Sequence, residues 1–316
     1  MKLYLQRIVI FLSVFLSLLL ILEVFVTQGL KKTGYNEYKD WNLIFQSKIN
    51  SNVLIQGDSR AWVQISPKII DSVLNVQSYN LGIDGHNFKM QQTRYQIYKK
   101  YNPKPQIIIQ ILGLNSLGQR KDLYNSQQFL PFIWDKDIRN CIMEYEGFNF
   151  GDYYIPAFRY LKSNLTKHVE IGFQEFINLK HYENTRYKGF RSRPLAWDST
   201  FAEFKKANPK GVKFEVSPSV TNLFDKFVAQ CIENKVEIVL VYAPEYIGSQ
   251  SIILNRNEII STFERISRKH NILFLNYSND SISYNKIYFY NSQHLNTLGA
   301  DLFSKKLAID LKNKLN

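Results

Sequence analysis

Residues 52–60 read Asn-Val-Leu-Ile-Gln-Gly-Asp-Ser-Arg. The stretch 52–57 is short and apolar and stops at glycine, the pattern of a strand buried on both faces. A serine in a glycine-containing turn after such a strand is where α/β enzymes expose a nucleophile. The carboxyl edge of an open sheet is also where such folds bind ligands. Alone, Gly57-Asp58-Ser59 carries little, because turns of this composition are mostly structural. Asp58 or Ser59 would serve equally well as the N-cap of a following helix.

The rest of the chain repeats the strand signal. Residues 78–81 are a second, weaker strand, and 106–112 (QIIIQIL) a third, introduced by Pro103 and Pro105. Residues 237–242 (EIVLVY), stopped by Pro244, are a fourth, and 272–276 a fifth. Helices are predicted between and after them. Residues 86–101 read as an exposed helix with Phe88, Tyr95, Ile97 and Tyr98 among polar residues. Residues 219–234 carry Val220, Leu223, Phe224, Phe227, Val228, Cys231 and Ile232 on one stripe. Helices at 257–269 and 298–315 complete the pattern. Strands alternating with helices predict right-handed βαβ units around a parallel sheet, an α/β fold of three α/β/α layers.

Two segments lie outside this alternation. Residues 8–26 are 19 residues with a single charge, Glu23, near the end. Such a helix rises about 28 Å, close to the bilayer's hydrocarbon thickness of about 30 Å. A cleaved signal peptide is the rival reading, but the run exceeds an ordinary signal core and no small-x-small site follows it. The expectation is an uncleaved anchor over 1–30, followed by a polar linker over 31–50. The second segment, about 116–217, is too long for a loop and reads as an inserted cap. Within it, residues 180–213 hold nine Lys/Arg against three acids, along with Tyr182, Tyr187, Phe190 and Trp197. Basic and aromatic residues together can grip sugars or polyanions; a solvated basic cap surface is the bland alternative.

Composition bounds the rest. The chain has 316 residues, 45% hydrophobic and 21% charged, enough for one large domain or two modest ones. This excludes wholesale disorder, collagen and a disulfide-stapled miniprotein. The formal net charge of +13 points to an anionic neighbour or to a solvated basic surface. Cys141 and Cys231 form no CxxC pair; a disulfide stays open, although Cys231 on a helix reads as a buried thiol. The histidines offer no HExxH or zinc spacing, so neither metal nor cofactor is expected. His86, His168, His181 and His270 read as surface or loop residues. Neither an internal repeat nor a nucleic-acid-binding motif is present.

Four short blocks fall at predicted strand ends or helix starts. They are Gly57-Asp58-Ser59-Arg60, Tyr79-Asn80-Leu81-Gly82, Gly113-Leu114-Asn115-Ser116 and Asn291-Ser292-Gln293-His294-Leu295-Asn296. Their order resembles the SGNH/GDSL hydrolase superfamily over about 50–115 and 219–316. The resemblance implies Ser59 as nucleophile and His294 as base. It also implies an oxyanion hole from the Ser59 and Gly82 N–H groups and the Asn115 amide. Two departures matter. Ser116 stands where the family has Asp, a mild change. Asn291 stands where the family's DxxH block has Asp, and the Asp normally fixes the histidine tautomer. A Ser–His dyad, a substitute carboxylate at Asp280 or Asp84, and a pseudoenzyme all stay open.

Members with an amino-terminal membrane helix, a large insert and an HLN-type last block look like bacterial envelope proteins. These O-acetylate or otherwise acylate exported polysaccharides, some with a multi-pass acyl-donor partner. Tyr187-Lys188-Gly189-Phe190 with Pro194 is similar to inserts of that group. The resemblance implies a single-pass protein of the cytoplasmic membrane with its catalytic domain in the periplasm or outside. It implies an acylated or acidic glycan substrate, touched by Arg60, Tyr187, Lys188, Arg191, Arg193 and Trp197. A non-catalytic glycan-binding scaffold and a secreted lipase or carbohydrate esterase are the alternatives.

Overall fold

The computed structural model describes residues 1–162, 165–183 and 185–315. In chain order the first elements are α1 (Lys2–Leu30), α2 (Asn36–Phe45), β1 (Val53–Gln56), α3 (Ser59–Gln64), α4 (Pro67–Leu74), β2 (Ser78–Asn80), α5 (Phe88–Tyr101) and β3 (Ile107–Leu112). Then come α6 (Lys136–Ile142), α7 (Phe150–Tyr154), α8 (Thr166–Phe176), α9 (Thr200–Ala207), α10 (Pro218–Glu233) and β4 (Glu237–Tyr242). The chain closes with α11 (Ile247–Gln250), α12 (Arg256–His270), β5 (Phe274–Asn276) and α13 (Thr297–Leu315). They form two compact units: Met1–Gln46 with Lys121–Asn184, and Ser47–Arg120 with Thr185–Asn316. Asn184 and Asn316, the ends of two of these ranges, lie outside the described residues.

The second unit carries the sheet. Its five strands are parallel in the order β2-β1-β3-β4-β5. Alternate strand residues face opposite layers, as the pleat requires. Val53, Ile55, Ile109, Ile111, Val239 and Val241 share one core with Ala61 of α3, Ile70 of α4 and Phe303 and Leu307 of α13. On the other side α5, α10 and α12 pack through aromatic edges. Phe224 lies 4.7 Å from Phe88 and 5.7 Å from Phe263, and Phe227 5.3 Å from Phe88 (ring centroids). The predicted α/β/α layering is the observed one, and each predicted strand is present within two residues at either end. Because all strands run the same way, the turns after β1, β2 and β3 share the carboxyl edge.

The first unit is helical. α1 packs on α8 so closely that a Cβ at Gly29 would lie 1.7 Å from the Gly172 carbonyl oxygen. Val26 and Leu30 of α1 join Tyr38, Leu130, Tyr160, Leu165 and Ile171 in its core. α1 is long and apolar enough to cross a membrane, with a mean hydropathy of 2.9 over its most apolar window.

Three expectations are corrected. The linker placed at 31–50 contains α2, whose Tyr38, Trp41 and Ile44 are buried. Its Asn42 donates to the Leu30 and Thr33 carbonyls at 3.0 Å each, closing the carboxyl end of α1. The insert at 116–217 is divided: residues 121–184 join the first 46 in the helical unit, and those from 185 return to the sheet unit. α5 is not an exposed helix, since it buries Met90, Gln91 and Arg94 as well as its apolar residues. His86, just before it, is also buried. Both cysteines are free and buried.

Phe224→Ala should test the aromatic layer. The side chain is 1% exposed, and truncating a buried Phe costs about 3–5 kcal/mol. The urea midpoint of the sheet unit should fall accordingly; an unchanged midpoint would mean that this layer is not packed as described.

Candidate active site

β1 hands the chain to α3 through Gly57, whose φ of +148° is one that side-chain-bearing residues rarely adopt. Asp58 caps α3, its Oδ1 accepting the Arg60 N–H at 2.9 Å. Ser59 is thereby fixed as the first residue of the helix, half-buried at the carboxyl edge. His294 comes from the segment before α13, held by the Tyr290 N–H donated to its carbonyl at 3.1 Å. Its Nε2 lies 2.7 Å from Ser59 Oγ, and its Nδ1 2.9 Å from Asn291 Oδ1.

The Asn291 amide has only one orientation here. The same oxygen accepts the main-chain N–H groups of Gln293 at 3.1 Å and His294 at 3.0 Å. Main-chain N–H groups donate only, so the atom they meet must be the oxygen and not the NH2. His294 Nδ1 therefore carries a proton, and Nε2 presents its lone pair to the Ser59 hydroxyl. This is the tautomer that a general base needs. Neither Asp280 nor Asp84 takes the place of the missing carboxylate. Asp280 accepts the Ile282 N–H at 3.0 Å and pairs with Lys306, and the Nδ1 partner is Asn291.

Burial lowers the His294 pKa to about 3, helped by the cations Arg60 and Arg193 and opposed by Asp198. The Tyr290 ring stacks on the imidazole, with centroids 5.4 Å apart and planes 7° apart. Burial pushes the Tyr290 phenol up to about 12, so it stays protonated. The base is a neutral imidazole clamped between a ring and an amide oxygen.

The expected oxyanion donors differ in their state. Ser59 N–H stands in the first turn of α3, where N–H groups have no intrahelical acceptor. Gly82 N–H is engaged by Asn80 Oδ1 at 2.8 Å, while Asn80 Nδ2 donates to the Ala61 and Ile65 carbonyls at 2.7 and 2.9 Å. A Cβ at Gly82 would lie 2.5 Å from Trp62 N, so close passage against α3 already requires glycine there. Gly82 is thus a structural glycine whose N–H is engaged in this conformation. Asn115 is exposed on the turn after β3. Ser116 closes that turn by accepting the Gly113 N–H at 2.8 Å.

The candidate substrate contacts divide in the same way. Arg60 is buried, donating to the carbonyls of Leu112, Ala243 and Pro244 while lying 4.7 Å from the Tyr242 ring centre. It ties the ends of β3 and β4 together and is not a surface contact. Lys188 pairs with Asp71 at 2.6 Å. Tyr187 is exposed. Arg191 and Arg193 lie 5.2 and 5.4 Å from the Trp62 ring centre, joined by Arg186 at 4.8 Å. Trp197 sits apart, 4.9 Å from Tyr246, with Lys286 5.0 Å from its ring, on an open groove of about 650 Å³.

Trp62, Arg186, Asn80 and Tyr290 escaped the sequence reading. A signal existed for Trp62, which follows Ser59 by three residues and so shares its helix face. Nothing in sequence spacing marks the stacking of Tyr290.

No protein-family model and no curated protein sequence matches the chain. Solved structures do. One, from Desulfitobacterium hafniense DCB-2, is named as a lipolytic protein of the G-D-S-L family; it is 12% identical, with a TM-score of 0.39, over 82% of this chain and 99% of that one. Another, from Streptococcus pneumonia, is named as a platelet activating factor; it is 13% identical, with a TM-score of 0.43, over 98% and 99%. A third, from Bacteroides fragilis NCTC 9343, is named as an acylhydrolase; it is 13% identical, with a TM-score of 0.39, over 90% and 98%. Structures named for lipolytic and acylhydrolase proteins are thus what this chain is similar to.

Proposed function

We propose that the chain is a membrane-anchored serine esterase or O-acyltransferase of the SGNH type. Its substrate would be ester groups, O-acetyl foremost, on an acidic envelope or exported polysaccharide. The observation that carries this reading is the unbroken line Ser59 Oγ, His294 Nε2, His294 Nδ1, Asn291 Oδ1, at 2.7 and 2.9 Å. Ser59 Oγ attacks the ester carbonyl as its proton passes to Nε2. The alkoxide leaves with that proton, and the acyl-Ser59 is released to water or to a sugar hydroxyl activated by the same imidazole. Ser59 N–H and the Asn115 amide would be the donors to the developing oxyanion, with Gly82 N–H joining them only if Asn80 releases it. Each such donor contributes about 3–4 kcal/mol.

The three guanidiniums around Trp62 support an acidic polymer. They gather around one indole on the helix that bears Ser59, which makes this side of the site cationic. α1 supports a single-pass membrane location, and a polysaccharide substrate would put the sheet unit on the periplasmic or outer side of the cytoplasmic membrane. In the transferase case the acyl group would come from a multi-pass partner in the same membrane. The engaged Gly82 donor favours a second reading, a glycan-binding protein that keeps the site without turnover.

Hydrolysis of p-nitrophenyl acetate by the full chain in detergent separates the two. Ser59→Ala and His294→Ala should each lower kcat by at least about 10³-fold; a wild type no faster than Ser59→Ala, on this ester and on acetylated glycan with an acyl donor, would leave only the binding reading.

The pH profile follows from His294. The base acts when neutral, and its folded pKa of about 3 keeps it neutral well below the usual range. Activity should therefore stay level from neutrality down to about pH 4 and fall below that. Asn291→Asp places an anion beside the imidazole, so the acid limb should move toward neutrality. Because the tautomer is already correct, kcat should rise by only about 10–100-fold, short of the 10⁴ seen where the tautomer is wrong. An acid limb near pH 6.5 in the wild type would contradict the described environment.

Arg193→Gln should narrow the preference for acetylated polyuronate over a neutral acetylated glycan by about tenfold in kcat/KM, the scale of one charge-assisted contact. Equal preference in wild type and variant would remove the acidic-polymer assignment.

A further inference from the structure

We infer that the helical unit is a collar seated in the membrane interface, so that the lipid bilayer covers it as well as α1. This rests on the reading of α1 as a membrane span. The helix is exposed from Met1 to Ile21, with Leu19 alone half-buried, and packing against its own unit begins at Leu22. Between Arg7 and Glu23 lie 15 uncharged residues. They rise about 22 Å, some 8 Å short of a hydrocarbon core of about 30 Å. The missing depth falls on the stretch Glu23–Thr27, where other parts of the unit pack against one side of the helix while Val24 stays 52% exposed.

The contacts at that level suit a seat in lipid. Glu23 would be a costly charge there. It is neutralised by Arg159 at 2.7 Å and accepts the Ala157 N–H at 2.7 Å, with the two side chains 16% and 3% exposed. Thr27 Oγ1 bonds the Tyr160 hydroxyl at 2.7 Å. The segment 155–161 is thus fixed against α1 at the depth the helix leaves short.

The surface of that segment is apolar and open. Phe150, Tyr154, Ile155, Phe158 and Leu161 are all exposed, Leu161 at 58%. Such a patch is unusual in water. Its rim carries Trp134, 6.2 Å from Tyr154, with the Arg139 guanidinium over both rings and bonded to the Tyr154 hydroxyl at 2.8 Å. Aromatic rings with a polar tip and a cation beside them are the side chains that settle at headgroup depth. On α8, Phe173 and Ile177 are exposed as well, and Phe173 lies 6.5 Å from Phe25 of α1. The deficit of about 8 Å equals the depth to which interfacial elements sink, about 5–10 Å.

The test labels single positions of the full chain with an environment-sensitive fluorophore, in vesicles of phosphatidylcholine and phosphatidylglycerol. Leu161→Cys probes the collar, and Ile287→Cys, also exposed, probes the sheet unit. Cys141 and Cys231 are buried, and unsubstituted chain gives the background. Leu161 is on the surface, so its replacement removes no core contact. The label at 161 should emit to the blue of that at 287 and be quenched by nitroxide lipids at least threefold more. Equal quenching at the two positions, with the chain sedimenting with the vesicles, would overturn the collar and leave α1 as a plain tether. A chain that fails to sediment with vesicles would overturn the membrane span, and the collar with it.

Discussion

Everything chemical in this molecule depends on one oxygen atom. Asn291 Oδ1 gathers the His294 and Gln293 main-chain N–H groups and the imidazole Nδ1–H. The first two contacts decide which end of the amide points inward, and the third transmits that decision to the proton on the ring. An amide so held does the orienting work of a carboxylate without its charge. An imidazolium formed by proton transfer from Ser59 would therefore be less stabilised than in a Ser-His-Asp triad. The cations behind the ring act in the same direction. Arg60, whose guanidinium ties the Leu112 carbonyl to those of Ala243 and Pro244, is also one of the charges that hold His294 neutral. Burial is the larger cause, and the scaffold's own fastening adds to it.

A similar economy governs the turn that carries Gly82. Asn80 spends its amide on three main-chain groups, two carbonyls in or beside α3 and the Gly82 N–H. This locks the end of β2 to the helix that starts with Ser59. The rigidity is bought from an oxyanion donor, and a shift of the Asn80 side chain would return that donor at the cost of two buried hydrogen bonds.

The sheet was legible because its strands are continuous apolar runs, and burial on both faces leaves no other place for 106–112 or 237–242. The grouping of Ser59, Asn291 and His294 into a candidate site was legible, because turns at strand ends hold the few residues that a fold leaves free for chemistry. Burial of polar residues was what the sequence concealed. α5 looked exposed because Gln91 and Arg94 are polar, yet they are buried and donate to the His86 and Gly82 carbonyls. α2 looked like a linker for the same reason, with Asn42 hidden among polar neighbours, although Tyr38, Trp41 and Ile44 recur at helical spacing. Arg60 is the same case, since an arginine is seldom wholly enclosed and this one is 3% exposed. Pairing across long loops left no local trace either, so the union of residues 1–46 with 121–184 was invisible.

That union has a consequence for how the protein is made. The first helix leaves the ribosome long before the partners that complete its packing. Thr27 waits for Tyr160, and Glu23 for Ala157, contacts spanning 133 and 134 positions along the chain. Three of the five sheet strands are synthesised in the interval. Closing a loop of this length on a free chain is slow, because its entropy must be lost before any contact repays it. A helix held in a bilayer has already surrendered much of that freedom. Membrane insertion would then serve as the first folding step of the helical unit, presenting a fixed rod on which later segments assemble.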